Sequence, residues 1–283
     1  MFKIFSYWWF PVISGAMWLT TLLGLLLHWI IDTHRTHYDS MGPDQRIAYI
    51  SDVGAAELKP LFVAGCIITT IFLDLSFGAD RWLRHKGRLV PNTTVTEKVL
   101  AGLTIVFAIA GTVGLTCLSG FDTAHYPRLH DIFLAVFIGG YLISAIFICW
   151  EYQRMGIKNR EHRILRISFW IKLMFIFIEL GLAIAFGVMN RRKMYDIAAI
   201  LEWVVSFVFS FYIFSFYVDL YPAVKTSRGG VGFKPAGMNM SERELEENYH
   251  AQNDIAVNPR YTQDSSRPIN GNQNGHHGRH TNF

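Results

Sequence analysis

Two groups of ionisable residues stand where charge is costly, and each suggests a chemistry. Asp52, Asp122, His125, His130, Asp131 and Glu202 all lie beside long apolar runs or in their first turns. Histidines and carboxylates that converge in space can hold zinc and activate a water for hydrolysis. The spacing from His125 to His130, however, matches no motif that sets two ligands on one helix face, and His130-Asp131 also reads as an ordinary helix entry. The group is open to three readings: a metal or catalytic site, a site for a lipid headgroup or a partner, or structural hydrogen bonding. It is assigned as an outer polar binding cluster, with no catalytic residue and no metal ligand.

Asp74 and Glu179 lie inside apolar runs, where an ionisable side chain needs a partner or a proton. They are expected to face the interior of a helix bundle, as a proton or ion relay or as polar contacts that fix packing. Lys172 shares a helix face with Glu179 two turns away and is expected to snorkel to the inner interface. A third group is basic. Arg81, Arg84, Lys86 and Arg88 directly follow one run, and Arg160 and Arg163 lie between two others. Each such residue near an anionic leaflet contributes roughly 1 kcal/mol of attraction. They are expected to contact anionic or inositol lipids, beyond the charge that topology alone demands.

No glycine-rich nucleotide loop, serine nucleophile elbow, zinc-protease motif or paired-cysteine site appears in the sequence, so no cofactor is expected. No nucleic-acid partner is expected either. Cys66, Cys117 and Cys149 fall inside or at the ends of apolar runs and need no disulfide; Cys149 is open to palmitoylation or to simple packing.

The elements that must position these residues are helices in a bilayer. The chain has 283 residues, is 51% hydrophobic and carries 17% charged residues, against roughly 25% in a soluble domain. Its apolar runs, at 8–31, 60–79, 99–118, 132–150, 167–189 and 197–218, are near the ~20 residues a helix needs to cross ~30 Å of hydrocarbon. Backbone groups must close their hydrogen bonds internally in lipid, and the ten-residue alternation of a barrel is absent. The expectation is an all-α integral membrane protein: six transmembrane helices within residues 1–221, then a disordered cytoplasmic tail at 222–283. The first run is too long for a signal peptide and is read as a retained span.

Orientation follows from basic residues in the connections. Loops two and four hold most of them, so these loops and both termini are expected in the cytoplasm, although Arg191, Arg192 and Lys193 oppose this from loop five. The sequons Asn92-Thr93-Thr94 and Asn239-Met240-Ser241 then lie inside and stay unmodified. Small residues four apart (Ala110 and Gly114, Ala135 and Gly139, Ala183 and Gly187) suit close helix packing. The two halves show no repeat. In the polar tail, Ser241 and Glu244 have capping-box spacing, with Leu245 and Tyr249 on one face, as a docking segment or a transient turn.

Three blocks carry a family resemblance. Ile50-Ser51-Asp52-Val53-Gly54-Ala55 followed by Pro60 resembles the first outer loop of Frag/DRAM/Sfk membrane proteins. His130-Asp131-Ile132-Phe133 is similar to the opening of their fourth span, and Ala198-Ala199-Ile200-Leu201-Glu202-Trp203 to that of their sixth. Ala48 stands where animal autophagy-modulating members usually have proline, and the loop ends Leu58-Lys59-Pro60, which points to the fungal Sfk branch. The resemblance covers about residues 7–220. It implies a six-span plasma-membrane protein without a known catalytic centre, supporting phosphatidylinositol 4-kinase and the uneven distribution of phospholipids between leaflets. The animal branches act at lysosomes or in remodelling glycosylphosphatidylinositol anchors. The leading expectation is a non-enzymatic regulator of lipid homeostasis. Its rivals are a lipid-modifying enzyme using the outer His and Asp residues, an ion-coupled transporter using Asp74 and Glu179, and an autophagy-related protein of the vacuolar or lysosomal membrane.

Overall fold

A computed structural model describes residues 6–92, 94–158 and 163–223, all within one compact unit, Met1–Pro235. Thr93, Arg160 and the tail from residue 224, with its sequon and its capping-box segment, lie outside the described residues. The chain forms α1 (Trp9–Leu27), which runs on as a π-helical turn (His28–Asp32), then α2 (Ile50–Ala55), α3 (Lys59–His85), α4 (Val95–Gly120), α5 (Pro127–Lys158), α6 (Arg163–Arg191) and α7 (Tyr195–Leu220). All but α2 belong to the six helices long and apolar enough to cross a membrane, and among the described residues there is no strand.

Five of the six helices outrun the apolar segment that announced them. The ladder of backbone bonds continues past the hydrocarbon, so the charged residues read as loop lie in last and first turns. Arg81 and Arg84 end α3, Lys98 begins α4, and Arg163 begins α6. Local chemistry sets the ends. Pro60 occupies the first turn of α3, where its missing N–H is not needed. At α4, Thr94 Oγ1 accepts from Glu97 N at 3.3 Å and Glu97 Oε2 accepts from Thr94 N at 3.1 Å, a capping box that satisfies two orphan donors. Gly87, at φ 67°, turns the chain after α3, in the left-handed region that costs glycine little.

Each long helix packs on the next in chain order, and α7 closes the ring on α1. The closest approach is between α4 and α5. A Cβ added at Gly140 would lie 2.5 Å from Gly111 N, and one at Gly114 would lie 2.4 Å from Phe137 N. Gly114 therefore packs as its spacing suggests, but Gly139 and Gly187 face open space. The ring brings the segments 33–58, 121–126 and 192–194 to one end, the first-loop end. The start of α1 and the end of α7 mark the other, terminal end, where the exposed Trp9, Trp82, Trp150 and Trp170 form an aromatic girdle typical of a membrane interface.

Candidate functional site

At the first-loop end, α7 clamps the first loop. Asp196 Oδ1 accepts from the Arg46 and Ile47 amides at 2.6 and 3.0 Å, Trp203 Nε1 donates to Ala48 O at 3.0 Å, and Glu202 Oε2 accepts from Ile50 N at 2.8 Å. The loop is knit internally by Asp52. Its carboxylate accepts from Ser40 Oγ at 2.6 Å, Gln45 Nε2 at 3.0 Å and Tyr49 N at 2.9 Å. Burial first, then the neighbouring Glu202 and Asp52 carboxylates, push the Tyr49 phenol above its ordinary value, so it stays neutral. Asp196 was missed in the sequence, and Trp203 stood there only as part of a family block, because nothing local distinguishes an acid or a tryptophan at a helix entry.

The rest of the polar cluster forms a second knot. Asp122 accepts from Lys59 Nζ at 2.5 Å and from His125 N and Nδ1, each at 2.8 Å. Burial opposes ionisation of Asp122. The Lys59 ammonium and the His125 bonds outweigh it and hold the carboxyl well below the usual carboxylate range. His130 is buried, with Nδ1 donating to Phe121 O at 3.0 Å. Asp131 is exposed and joins neither knot, because it lies on the other side of α5 from His130. The six predicted residues are thus two knots and one outlier. Among the described residues no three His, Cys, Asp or Glu side chains gather as a metal site.

The knots meet at a cavity. A space of about 40 Å³ is lined by Ile50, Ser51, His130 and Glu202, with Trp18 and Phe137 among its apolar walls. One residue or more from each of the three blocks that carried the family resemblance therefore faces the same cavity. Beneath it lies a second space of about 60 Å³ between α5, α6 and α7, lined by Tyr141, Phe175, Glu179, Phe209 and Tyr212. The two share Phe137, Ile138, Ala183, Val205 and Ser206 as walls and so form one slot.

Asp74 and Glu179 do not pair. Thr112 Oγ1 donates to Asp74 Oδ2 at 2.9 Å and lies 2.8 Å from the Tyr141 hydroxyl. Glu179 lines the deeper cavity with Oε1 unpartnered. Asp74 also borders an open groove with Tyr7, Phe10 and Trp82, so it is only partly turned inward. Each carboxyl keeps one buried oxygen without a hydrogen-bond partner, Asp74 Oδ1 and Glu179 Oε1.

The terminal end corrects the sequence reading. Arg84 is buried and bidentate on Asp80, at 2.8 and 3.1 Å, and donates to Val90 O at 3.0 Å. Arg81 is bonded to the buried Glu151, which also accepts from Asn92 Nδ2 at 2.8 Å. Lys172 does not snorkel. It is 0% exposed, bonded to Asp219 and to Ser168 Oγ at 2.9 Å, and its ammonium lies 5.1 Å from the Tyr152 ring centre, with Arg84 at the same distance from that ring. Arg81 and Arg84 are therefore unavailable to headgroup phosphates, because three internal carboxylates claim the cations around them. Arg88 donates to Ala223 O at 2.7 Å. Lys86, which lies over Trp82, and Arg163 are exposed, as are Arg154 and Arg166. Cys149 is buried beside α6, which argues against palmitoylation.

A six-span bundle with its first loop locked to the last span and a slot beneath it defines a class of membrane protein, and comparison with known proteins says which. The chain belongs to the family described as Frag1/DRAM/Sfk1/Cwh43P N-terminal domain, which it matches over residues 6–223. It is 32% identical over 215 residues to protein sfk1 of Schizosaccharomyces pombe, covering 76% of this chain and 64% of that protein. It is 23% identical over 275 residues to protein SFK1 of Saccharomyces cerevisiae, covering 75% of this chain and 77% of that one. The match thus spans a little under two thirds of the fission-yeast protein. No solved structure matches.

Proposed function

We propose that the chain is a non-enzymatic regulator of lipid homeostasis in the plasma membrane, supporting phosphatidylinositol 4-kinase signalling and phospholipid asymmetry. The observation that carries this reading is the convergence of the three family blocks on one slot among the spans, in a chain similar to Sfk1 proteins along its membrane domain. Asp52 and Asp122 are engaged by the scaffold. With the terminal end in the cytoplasm, the exposed Lys86, Arg154, Arg163 and Arg166 meet the anionic leaflet, and Arg166 lines a groove beside Trp170 suited to a headgroup.

The test is deletion in the source cells, scored for plasma-membrane phosphatidylinositol 4-phosphate and surface-exposed aminophospholipid. The first is expected to fall and the second to rise. No change in either overturns the reading, and so does location in the vacuolar membrane alone. A second reading, an enzyme acting on lipid, is favoured by one observation: His130 and Glu202 line the same cavity. It requires turnover by the purified protein that His130→Ala abolishes.

A further inference from the structure

We propose that Glu179 is a proton-binding site within the membrane, loaded from the first-loop end through water held in the slot. This goes beyond the functional reading and does not depend on it.

Glu179 is the acid that the bundle leaves unanswered. Its Oε1 is buried without a hydrogen-bond partner, and no ion pair among the described residues includes it. No cation among the groups around it comes to its aid. On its own helix Lys172, two turns toward the terminal end, is held by Asp219 and Ser168. On α5, Tyr141 shares a hydrogen bond with Thr112, which also serves Asp74 of α3, and His130 is bonded to Phe121 O. On α7, Glu202 accepts from Ile50 N, and Tyr212 brings only a phenol to the deeper space. An ionised carboxylate with a buried, unpaired oxygen bears the cost of an unsolvated charge. A bound proton removes that cost. Oε1 becomes the carbonyl oxygen of a neutral acid, and the other oxygen becomes a hydroxyl that donates into the slot.

The slot has room for the water that would carry the proton. Its two spaces, about 60 and 40 Å³, each exceed the roughly 10–15 Å³ that one water requires. Water also needs about two to four polar partners. The deeper space offers Glu179, Ser206 and Tyr212, and the upper one Ser51, His130, Glu202 and again Ser206. Ala183, one turn from Glu179, and Ser206, one turn from Glu202, stand where the spaces join. The upper space ends at Ser51, half-buried in the first loop, so the short way to solvent lies there. The proton is taken from solvent and returned to it along the same waters, so no other reactant is needed. A divalent cation fits less well. Such ions take about six or more oxygen ligands, whereas the deeper space has a single carboxyl among mostly apolar walls. A proton needs one.

The test is infrared difference spectroscopy of the full chain in phosphatidylcholine bilayer discs, with Glu179→Gln as the reference. At neutral pH the unaltered protein is expected to show a protonated-carboxyl band that the variant lacks and that is lost as pH is raised. No such band at any pH at which the protein stays folded overturns the site. A band that persists at every such pH marks a permanently neutral packing group and overturns it too. A band that fades at fixed pH as sodium or potassium is raised makes the ligand a cation and overturns the proton assignment. On transfer to heavy water the band should shift within seconds, while the amide hydrogens of α6 stay protected. A shift that waits for those amides means a dry pocket and overturns the water path. Ala183→Phe, which fills the junction, should keep the band and slow its shift severalfold, and an unchanged rate overturns the route from the first-loop end. Should that variant not fold, hydroxyl radicals generated from bound water decide the route. Oxidation of Phe137, which lines both spaces, above that of the exposed, lipid-facing Phe177 supports it, and oxidation no greater than that of Phe177 overturns it.

Discussion

Asp122 shows how a single carboxylate can tie a loop to a helix. It takes one bond from Lys59 at the start of α3 and two from His125 in its own loop. Asp122→Asn is expected to lower stability at neutral pH by about 1–2 kcal/mol, the usual worth of hydrogen bonds to a charged group. The sign of its pH dependence follows from the depressed folded value. The contribution is full above the unfolded pKa of about 3.9 and fades as pH falls toward the lower folded one. Thermal unfolding of both proteins in detergent, from pH 7 downward, should show a gap that narrows only below about pH 4. A gap that does not narrow would trace the effect to something other than charge. Asp52 has the parallel role in the first loop, where Asp52→Ala takes the acceptor from Ser40 Oγ and Tyr49 N and leaves Gln45 Nε2 with Ile47 O alone. Cleavage by trypsin after the exposed Arg46 should then quicken severalfold, and an unchanged rate would mean that α7 alone holds the loop.

Between elements, backbone proximity rather than side-chain chemistry joins α4 to α5. Gly140→Ala places a methyl against Gly111 N and Phe107 O, neither of which can swing aside. The helices must part, at a cost of about 1–3 kcal/mol for an overpacked contact. Gly139→Ala meets nothing within 4 Å and is expected to be neutral or to stabilise by up to ~1 kcal/mol through helix propensity. Unfolding temperatures of the pair check this, and equal effects would refute the contact. The small-residue spacing in the sequence pointed to Gly139 rather than its neighbour. A pattern of small residues says that some face can approach closely, but the crossing geometry selects the face. The α3 extension has a similar cause: hydropathy marks where hydrocarbon ends, not where the helix does.

At the scale of the whole bundle, charges bind α3, α5, α6 and α7 together at the terminal end, with the Tyr152 ring between Arg84 and Lys172. Lys172→Met leaves the buried Asp219 without its ammonium, bonded to the Ser168 hydroxyl, and is expected to cost about 3–5 kcal/mol, as for other broken buried pairs. Lys172→Met with Asp219→Leu removes both charges and should recover most of the loss. Folded yield and unfolding temperature of the three variants decide it, and a double variant no better than the single would show that the two charges do not act as a pair. The same network explains the misreading of Arg81, Arg84 and Lys172. Each has a reasonable role when only its own helix is considered, as a topology signal or a snorkelling side chain. Their partners Asp80, Glu151 and Asp219 lie near span ends, where nothing local marks an acid as a partner.

The six spans, and the blocks around Asp52, His130 and Glu202, were legible in the sequence because their causes are local. A bilayer of fixed thickness sets the length of each apolar run, the backbone must bond to itself within that run, and an entry motif is contiguous. Tertiary structure alone decided which charges pair, since Arg81 meets a residue 70 positions away and Lys172 one 47 away, and every cation in lipid has several carboxylates it could reach. It also decided that the three blocks meet at a slot. That depends on how α2, α5 and α7 pack against one another, which is written in none of them singly.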